Sequence, residues 1–243
     1  ESIGNAIPLI VLDFTNNRLS GSIPDRLGKL ENLKKLNLGE NRLNESVPAS
    51  FGNLSSLEIL NLNKNELDAI PSGIGKLKNL KDIDLSDNKL SGTLPESIFS
   101  LSRLTKLLLQ NNSFEGRLPE TIQLLVNLKQ LRLENNQLHG EIPESLGDIS
   151  GLRRLSLAGN ELSGPIPESI WNLHNLKYLH LEDNQLQGEI SESLGNISGL
   201  LYLGLNGNDK LSGLIPNSIG NLENLRTLHL GANSFFGSIP ESV

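Results

Sequence analysis

Ten asparagines punctuate this chain at nearly constant spacing: Asn17, Asn41, Asn65, Asn88, Asn112, Asn136, Asn160, Asn184, Asn208 and Asn233. The intervals are 24, 24, 23, 24, 24, 24, 24, 24 and 25 residues. A period in this range is the signature of a stacked-repeat architecture, in which each copy is one supersecondary unit leaning on its neighbours. No segment interrupts the period, so residues 1–243 are expected to form a single domain.

One copy shows how the unit is written: Leu128-Lys-Gln-Leu131-Arg-Leu133-Glu-Asn-Asn136-Gln-Leu138-His-Gly140-Glu-Ile142-Pro143. Leu131 and Leu133 alternate with Arg132, the period of a short strand with one buried face. The same frame returns in the other copies, and identical strands at constant spacing pair in parallel, each with the next. Ten of them at ~4.8 Å per step give a sheet of roughly 45 Å. The asparagine ends the strand, where its amide turns the chain and satisfies backbone groups of the adjoining copy. Gly-x-Ile-Pro follows, with glycine permitting a tight bend and proline fixing φ. A short helical turn near Leu146-Gly147 carries the chain back. Burial within one copy cannot offset the entropy of ordering it, so stability comes from stacking.

Leu-x-x-Leu-x-Leu-x-x-Asn-x-Leu-x-Gly-x-Ile-Pro resembles the plant-type leucine-rich repeat, at full strength in Leu152-Arg-Arg-Leu155-Ser-Leu157-Ala-Gly-Asn160-Glu-Leu162-Ser-Gly164-Pro-Ile166-Pro167. That family includes ectodomains of plant receptor kinases and receptor-like proteins, and secreted polygalacturonase inhibitors. The resemblance implies an α/β solenoid: a right-handed superhelix of about ten 23–25-residue repeats. A concave parallel sheet, a second small sheet and short 3-10 turns on the convex side complete it. It further implies non-catalytic recognition of a protein or peptide ligand, with a co-receptor as a further partner. An extracellular or cell-surface location follows from the same resemblance.

Departures are local. Asp68-Ala69-Ile70-Pro71 replaces Gly-x-Ile-Pro in a copy one residue short, and Asp209-Lys210 lengthens another. Glu45 stands for a glycine and Ser191 for a proline. Each is expected to perturb curvature without removing a strand. The family's cysteine-paired caps have no counterpart, since the chain has no cysteine. Ile7, Leu9, Leu12, Phe14, Leu225, Leu228 and Phe235 are therefore expected to face water. With no methionine, and with ends that fall in the same phase of the repeat, the chain reads as a segment of something longer.

Composition narrows the function. A net charge of −7 argues against a general nucleic-acid binder, which needs a basic surface. No run approaches the ~20 apolar residues of a membrane span, so this segment is expected to make no membrane contact. Without cysteine there is no thiolate chemistry and no Cys-ligated zinc. His180 and His229 fall two strands apart, roughly 10 Å, too far for one zinc ion, and no cofactor is expected. Ser156 and His180 are neighbours across two strands, but an open sheet offers neither an orienting acid nor an oxyanion hole.

The outward positions of the strands carry the candidate ligand-binding residues: Lys106, Arg132, Arg154, Tyr178, His180, Tyr202 and His229. Lys106, Lys129, Arg132, Arg153 and Arg154 form a basic centre, flanked by an acidic zone of Glu58, Asp82, Asp84 and Asp87. Such charges are read either as a binding patch or as a solvated face. Tyr178 and Tyr202 fall at equivalent positions, so their rings should stack, as cross-strand packing or as a binding hot spot. Phe99 and Trp171 replace glycine in the convex turns, where partial burial is expected. Sequons place glycosylation at Asn44, Asn53, Asn111 and Asn196. The leading expectation is a peptide- or protein-binding receptor segment. A glycosidase inhibitor and a structural, adhesive or ice-binding array are the rivals.

Overall fold

The computed structural model describes residues 8–242. Ten three-residue strands, from Val11–Asp13 and Lys35–Asn37 through Gln130–Arg132 to Thr227–His229, form one parallel sheet in chain order among these residues. The register shifts by one repeat at each step: Leu131 lies opposite Leu107 on one side and Leu155 on the other. Leu131 and Leu133 are fully buried and Arg132 between them faces outward. The alternation in the sequence is thus the alternation of the strand, and the outward residues make the concave surface.

Beneath this sheet runs the asparagine ladder. Asn136 donates from Nδ2 to Leu109 O of the preceding copy (3.2 Å) and to its own Leu133 O (3.0 Å) and Glu134 O (3.4 Å). Its Oδ1 accepts the Phe114 N–H at 3.0 Å. The same four bonds recur at Asn160 and Asn184, among others. Among the described residues the Asn17 side chain bonds only within its own turn, to Phe14 O and Thr15 O. Where the interval lengthens to 25, Asn233 Oδ1 accepts from Asn208 N, and Leu211 N turns back onto Asn208 O. The extra residue is absorbed in that turn.

Reversal after each strand depends on a position the asparagine pattern hides. The residue before every ladder asparagine has a left-handed backbone, from Asn16 (φ 55°) through Glu40, Lys64, Asp87, Asn111, Asn135, Gly159, Asp183 and Gly207 to Ala232 (φ 52°). Asn, Asp and Gly tolerate that region most readily. Glu40, Lys64 and Ala232 occupy it because the ladder and the stacked copies hold them there.

The Leu-x-Gly segments form the second sheet, in two pieces. Ser20–Ser22, Arg42–Glu45 and Glu66–Leu67 make a three-stranded piece; Ser91–Thr93 to Ser234–Phe235 make a seven-stranded one. The break falls at the copy carrying Asp68-Ala69, whose strand has shrunk to two residues. Across it Lys89 N still reaches Leu67 O and Ser91 N still reaches Asp68 O. The concave sheet passes the same point unbroken, so the short copy perturbs only the outer sheet. Glu45 adopts φ 64°, where equivalent copies place glycine at φ 75–87°.

Short 3-10 turns line the convex side, from Asp25–Lys29 to Asn217–Asn221. Most are entered through proline; Ser191 keeps a proline-like φ of −67°, accepts the Ser193 N–H and donates to Glu168. A second ladder operates here through the recurrent Pro-Glu-Ser. Ser145 and Ser169 donate their hydroxyls to Glu120 O and Glu144 O, and their N–H groups to the same residues' carboxylates. Gly147 must be glycine for this stacking, because a Cβ would lie 2.4 Å from Ser169 Cβ. Phe99 and Trp171 are each only 1% exposed, more deeply packed than the partial burial expected of them.

The ends differ from expectation. Leu12 is buried, and Leu9, Leu225, Leu228 and Phe235 are partly buried against the core, while Phe14 is 39% exposed. Adjacent copies cover these leucines from one side. Ile7 and Glu1-Ser2-Ile3 lie outside the described residues.

Candidate functional site on the concave sheet

Two rows of outward side chains cross the strands. Arg132, Ser156, His180, Gly204 and His229 are register partners in one; Gln130, Arg154, Tyr178, Tyr202 and Thr227 are partners in the other. The sequence-predicted residues from Arg132 to His229 therefore share one surface. All of these but Tyr178 line a shallow depression of 390 Å³ together with Glu134, Ala158, Glu182 and Asp183.

Pairing on the tyrosine row runs diagonally. Tyr178 and Tyr202 are register partners, but their rings do not stack on each other. The Tyr202 ring stacks on His180 (centroids 4.2 Å apart, 26° between planes) and meets His229 edge-on at 5.5 Å. Tyr178 instead lies under the Arg154 guanidinium, 4.1 Å from ring centroid to Cζ. This is a cation–π contact, and it leaves the guanidinium edge free for hydrogen bonds.

A carboxylate organises the ring cluster. Tyr202 Oη donates to Glu182 Oε1 at 2.6 Å, and His180 Nδ1 lies 3.3 Å from the same oxygen. Since an ionised carboxylate only accepts, His180 carries its proton on Nδ1. Tyr202 Oη, having donated to Glu182, accepts from His229 Nδ1 at 3.2 Å. Burial pushes the Glu182 carboxyl up, but the hydrogen bonds from His180 and Tyr202 outweigh it, so its pKa is lowered. Burial and the Glu182 charge push the Tyr202 phenol up to about 12. Glu182 folds over Gly204, where a Cβ would collide with its Oε1.

Much of the basic centre is neutralised. Lys106 pairs with Asp82 at 3.1 Å, and Arg132 Nε donates to Glu134 Oε1 at 2.8 Å, with Nη2 on the same oxygen. Of the predicted cations only Arg154 stands in the depression without a carboxylate partner among the described residues. Lys129 and Arg153 are exposed. The acidic zone is similarly tied: Glu58 to Lys81 at 2.6 Å, Asp84 to Ser86 at 2.6 Å.

Ser156 is buried and makes no hydrogen bond to His180, whose ring is committed to Glu182 and Tyr202. His180 and His229 are joined through Tyr202, and no group of three or more His, Asp or Glu among the described residues is arranged to hold a metal ion. All four sequon asparagines are exposed. Asn111 differs from the others in having its amide engaged on both sides, by Asp87 and Asn135 at 2.7 Å each. A larger depression of 520 Å³ lies over the second sheet. Glu120 and Glu144 in its wall are spent on the serine ladder.

Glu134, Glu182 and Gly204 were not among the sequence candidates. The signal for the two acids was present: both stand two residues before a ladder asparagine, a position that continues the concave face beyond the strand.

Comparison with known proteins agrees with this architecture. Residues 51–189 match the family described as a leucine-rich repeat region, and residues 7–67 and 224–243 match further leucine-rich-repeat families. Among curated proteins none matches the chain. Among solved structures, a TDR receptor is 35% identical with a TM-score of 0.96, over 99% of this chain and 42% of that one. The plant peptide hormone receptor RGFR1, in complex with RGF2, is 33% identical with a TM-score of 0.88, again over 99% and 42%. The ectodomain of the Arabidopsis receptor kinase HAESA, in complex with a peptide hormone ligand, is 33% identical with a TM-score of 0.82, over 99% and 44%. This chain thus spans less than half the length of each.

Proposed function

From the premise that the chain belongs to the leucine-rich-repeat family, we propose that it is a non-catalytic recognition segment of a cell-surface receptor. It binds a peptide or protein ligand across its concave strands, outside the cell, and a co-receptor joins the complex. The observation that carries this reading is the contrast within each copy. Scaffold positions repeat, whereas the outward positions converge at one place on aromatic rings, an unpaired arginine and a buried carboxylate. Aromatic and arginine side chains on an otherwise polar face are the residues that dominate interface energetics. Two of the similar structures hold peptide ligands, which supports a peptide here.

The test is selection of linear peptides from a displayed random library against the wild-type chain. The selected peptides are then measured against a variant with Arg154→Ala, Tyr178→Ala and Tyr202→Ala. Binding should fall at least tenfold, on the order of 1.4 kcal/mol or more, while circular dichroism shows the variant still folded. Undiminished binding would place recognition elsewhere.

A further inference from the structure

On the flank where the convex turns feed into the concave strands, Lys129, Arg153 and Lys177 stand immediately before Gln130, Arg154 and Tyr178, the first residues of three adjacent strands. The backbone ladder extends to them: Arg153 N donates to Lys129 O and Lys177 N to Arg153 O, each at 2.8 Å. Three cations thus recur at one position on successive strands, a row roughly 10 Å long at its backbone. Lys129 and Arg153 are exposed and Lys177 is half-buried, its Nζ donating to Gly199 O at 3.0 Å.

Lysine is common at this position of the repeat, so the position alone marks no site. Nearer the N-terminus its charges are cancelled: Lys34 and Lys81 both pair with Glu58, at 3.9 and 2.6 Å. Among the described residues none of Lys129, Arg153 and Lys177 has a carboxylate partner, and Asp148 in the convex turn between them pairs with none of the three. In a chain of net charge −7 this is a local positive excess. The same flank carries an exposed apolar pair. Leu124 ends the turn Glu120–Leu124 and Val126 leads on toward Lys129; they are 50% and 60% exposed. The other exposed large apolar side chains among the described residues stand near the two ends of the solenoid. The other convex turns, from Asp25–Lys29 to Asn217–Asn221, put polar residues at both positions, as Ser100 and Ser102 do one copy earlier. Exposed apolar side chains beside charges without partners are the makings of a binding surface.

We propose that this flank docks an extended acidic segment of a partner protein, with one apolar side chain on Leu124 and Val126 and carboxylates over Lys129, Arg153 and Lys177. An extended chain advances about 3.3 Å per residue, so about three or four residues cover the row. Carboxylates complement the row in charge, and the Arg153 guanidinium can take one through two parallel bonds. The apolar pair favours a peptide over an acidic polysaccharide, which would match the cations but brings no apolar side chain. The surface lies apart from the ring cluster around Tyr202, so it adds a second contact region and does not depend on the first.

The probe is an acetylated, amidated peptide of one leucine followed by five glutamates, titrated into the isotope-labelled chain while backbone amide resonances are followed. The analogue with glutamine in place of each glutamate is the control. Saturable shifts at Leu124, Val126, Lys129, Arg153 and Lys177 are expected with the acidic peptide, weakening as salt rises, and none with the control. Lys129→Gln, Arg153→Gln and Lys177→Gln together should weaken binding about tenfold, as loss of three exposed ion pairs does. Lys129→Arg with Lys177→Arg keeps the charges and should bind like the wild type. Leu124→Ser with Val126→Ser, the residues of the preceding copy, should weaken binding about threefold or more without altering a charge. Unchanged resonances elsewhere in each spectrum show that the variants are folded. Equal binding of the control peptide, a glutamine variant that binds like the wild type, or shifts centred on Tyr202 overturn the site. A serine variant of full affinity, or a uronic acid oligomer that binds the same residues more tightly than the peptide, overturns the assignment to a peptide.

Discussion

Replacing Asn136 by alanine tests the ladder at its centre, and the structure says which of its bonds matter. Three carbonyls lose the Nδ2 donor, yet none is left bare. Leu109 O still accepts from Asn112, Leu133 O from Asn160, and Glu134 O from Asn111 N. The Phe114 N–H is different. Asn136 Oδ1 is its acceptor, in a buried setting. The predicted cost is thus essentially one orphaned buried donor, about 1–3 kcal/mol, and not the sum of four hydrogen bonds. Asn17→Ala should cost less than ~0.5 kcal/mol, the range of ordinary surface changes, since among the described residues the Asn17 side chain bonds only its own exposed turn and the Asn17 N–H keeps Glu40 O. Asn136→Asp is the sharper variant. It keeps an acceptor for Phe114 but turns an oxygen toward three carbonyl oxygens, so it should be at least as harmful as alanine. Urea unfolding followed by the fluorescence of Trp171, the one tryptophan and 1% exposed, reads all three. Amide exchange should accelerate at Phe114 before it does at Leu138, whose N–H keeps Asn160. Equal losses for Asn17→Ala and Asn136→Ala, or an Asn136→Asp variant as stable as wild type, would refute this account.

Glu45→Gly should stabilise the chain by about 0.5–1 kcal/mol, because relief of the left-handed strain outweighs the added freedom of the unfolded chain; urea midpoints compare the two. Trp171→Ala should cost about 3–5 kcal/mol as a buried cavity, read by circular dichroism since the fluorophore is gone. In a Tyr178→Phe background, absorbance at high pH should show Tyr202 ionising near 12, and Glu182→Gln should bring it down toward the ordinary value of about 10. The sign follows from a folded pKa above the unfolded one. The Tyr202 contribution to stability is complete below about pH 10 and is lost as pH rises toward 12.

The frame of this molecule was legible because it is periodic. The Leu131/Leu133 alternation gave the strands, Asn136 its ladder and Gly140 its bend, each repeated often enough to separate rule from accident. What repeats with variable chemistry was harder to read. The left-handed position before each ladder asparagine is filled by Asn, Asp, Glu, Lys, Gly and Ala, so its common backbone is invisible in residue types. Register placed Tyr178 beside Tyr202 correctly, but not the direction in which either ring would lean. Tyr202 crosses to His180 because Glu182 draws its hydroxyl, and Glu182 is there because Gly204 leaves room. Counting cations along the strands likewise predicted a basic centre, whereas Asp82 and Glu134 cancel two of its members. Frame and register follow from local pattern; the surface is decided by three-body contacts.

The interrupted outer sheet has a mechanical meaning. Along most of its length this solenoid has two parallel rails of backbone hydrogen bonds, one on each side of the leucine core. At Asp68-Ala69 only the inner rail is continuous, and the two pieces of the outer one are joined by the bonds from Lys89 N to Leu67 O and from Ser91 N to Asp68 O. A beam fastened along one edge resists stretching there but bends about that edge. The ring cluster around Tyr202 lies within the seven-stranded piece, away from this joint. A bending load across the joint would therefore concentrate curvature there and leave the geometry around Tyr202 unstrained.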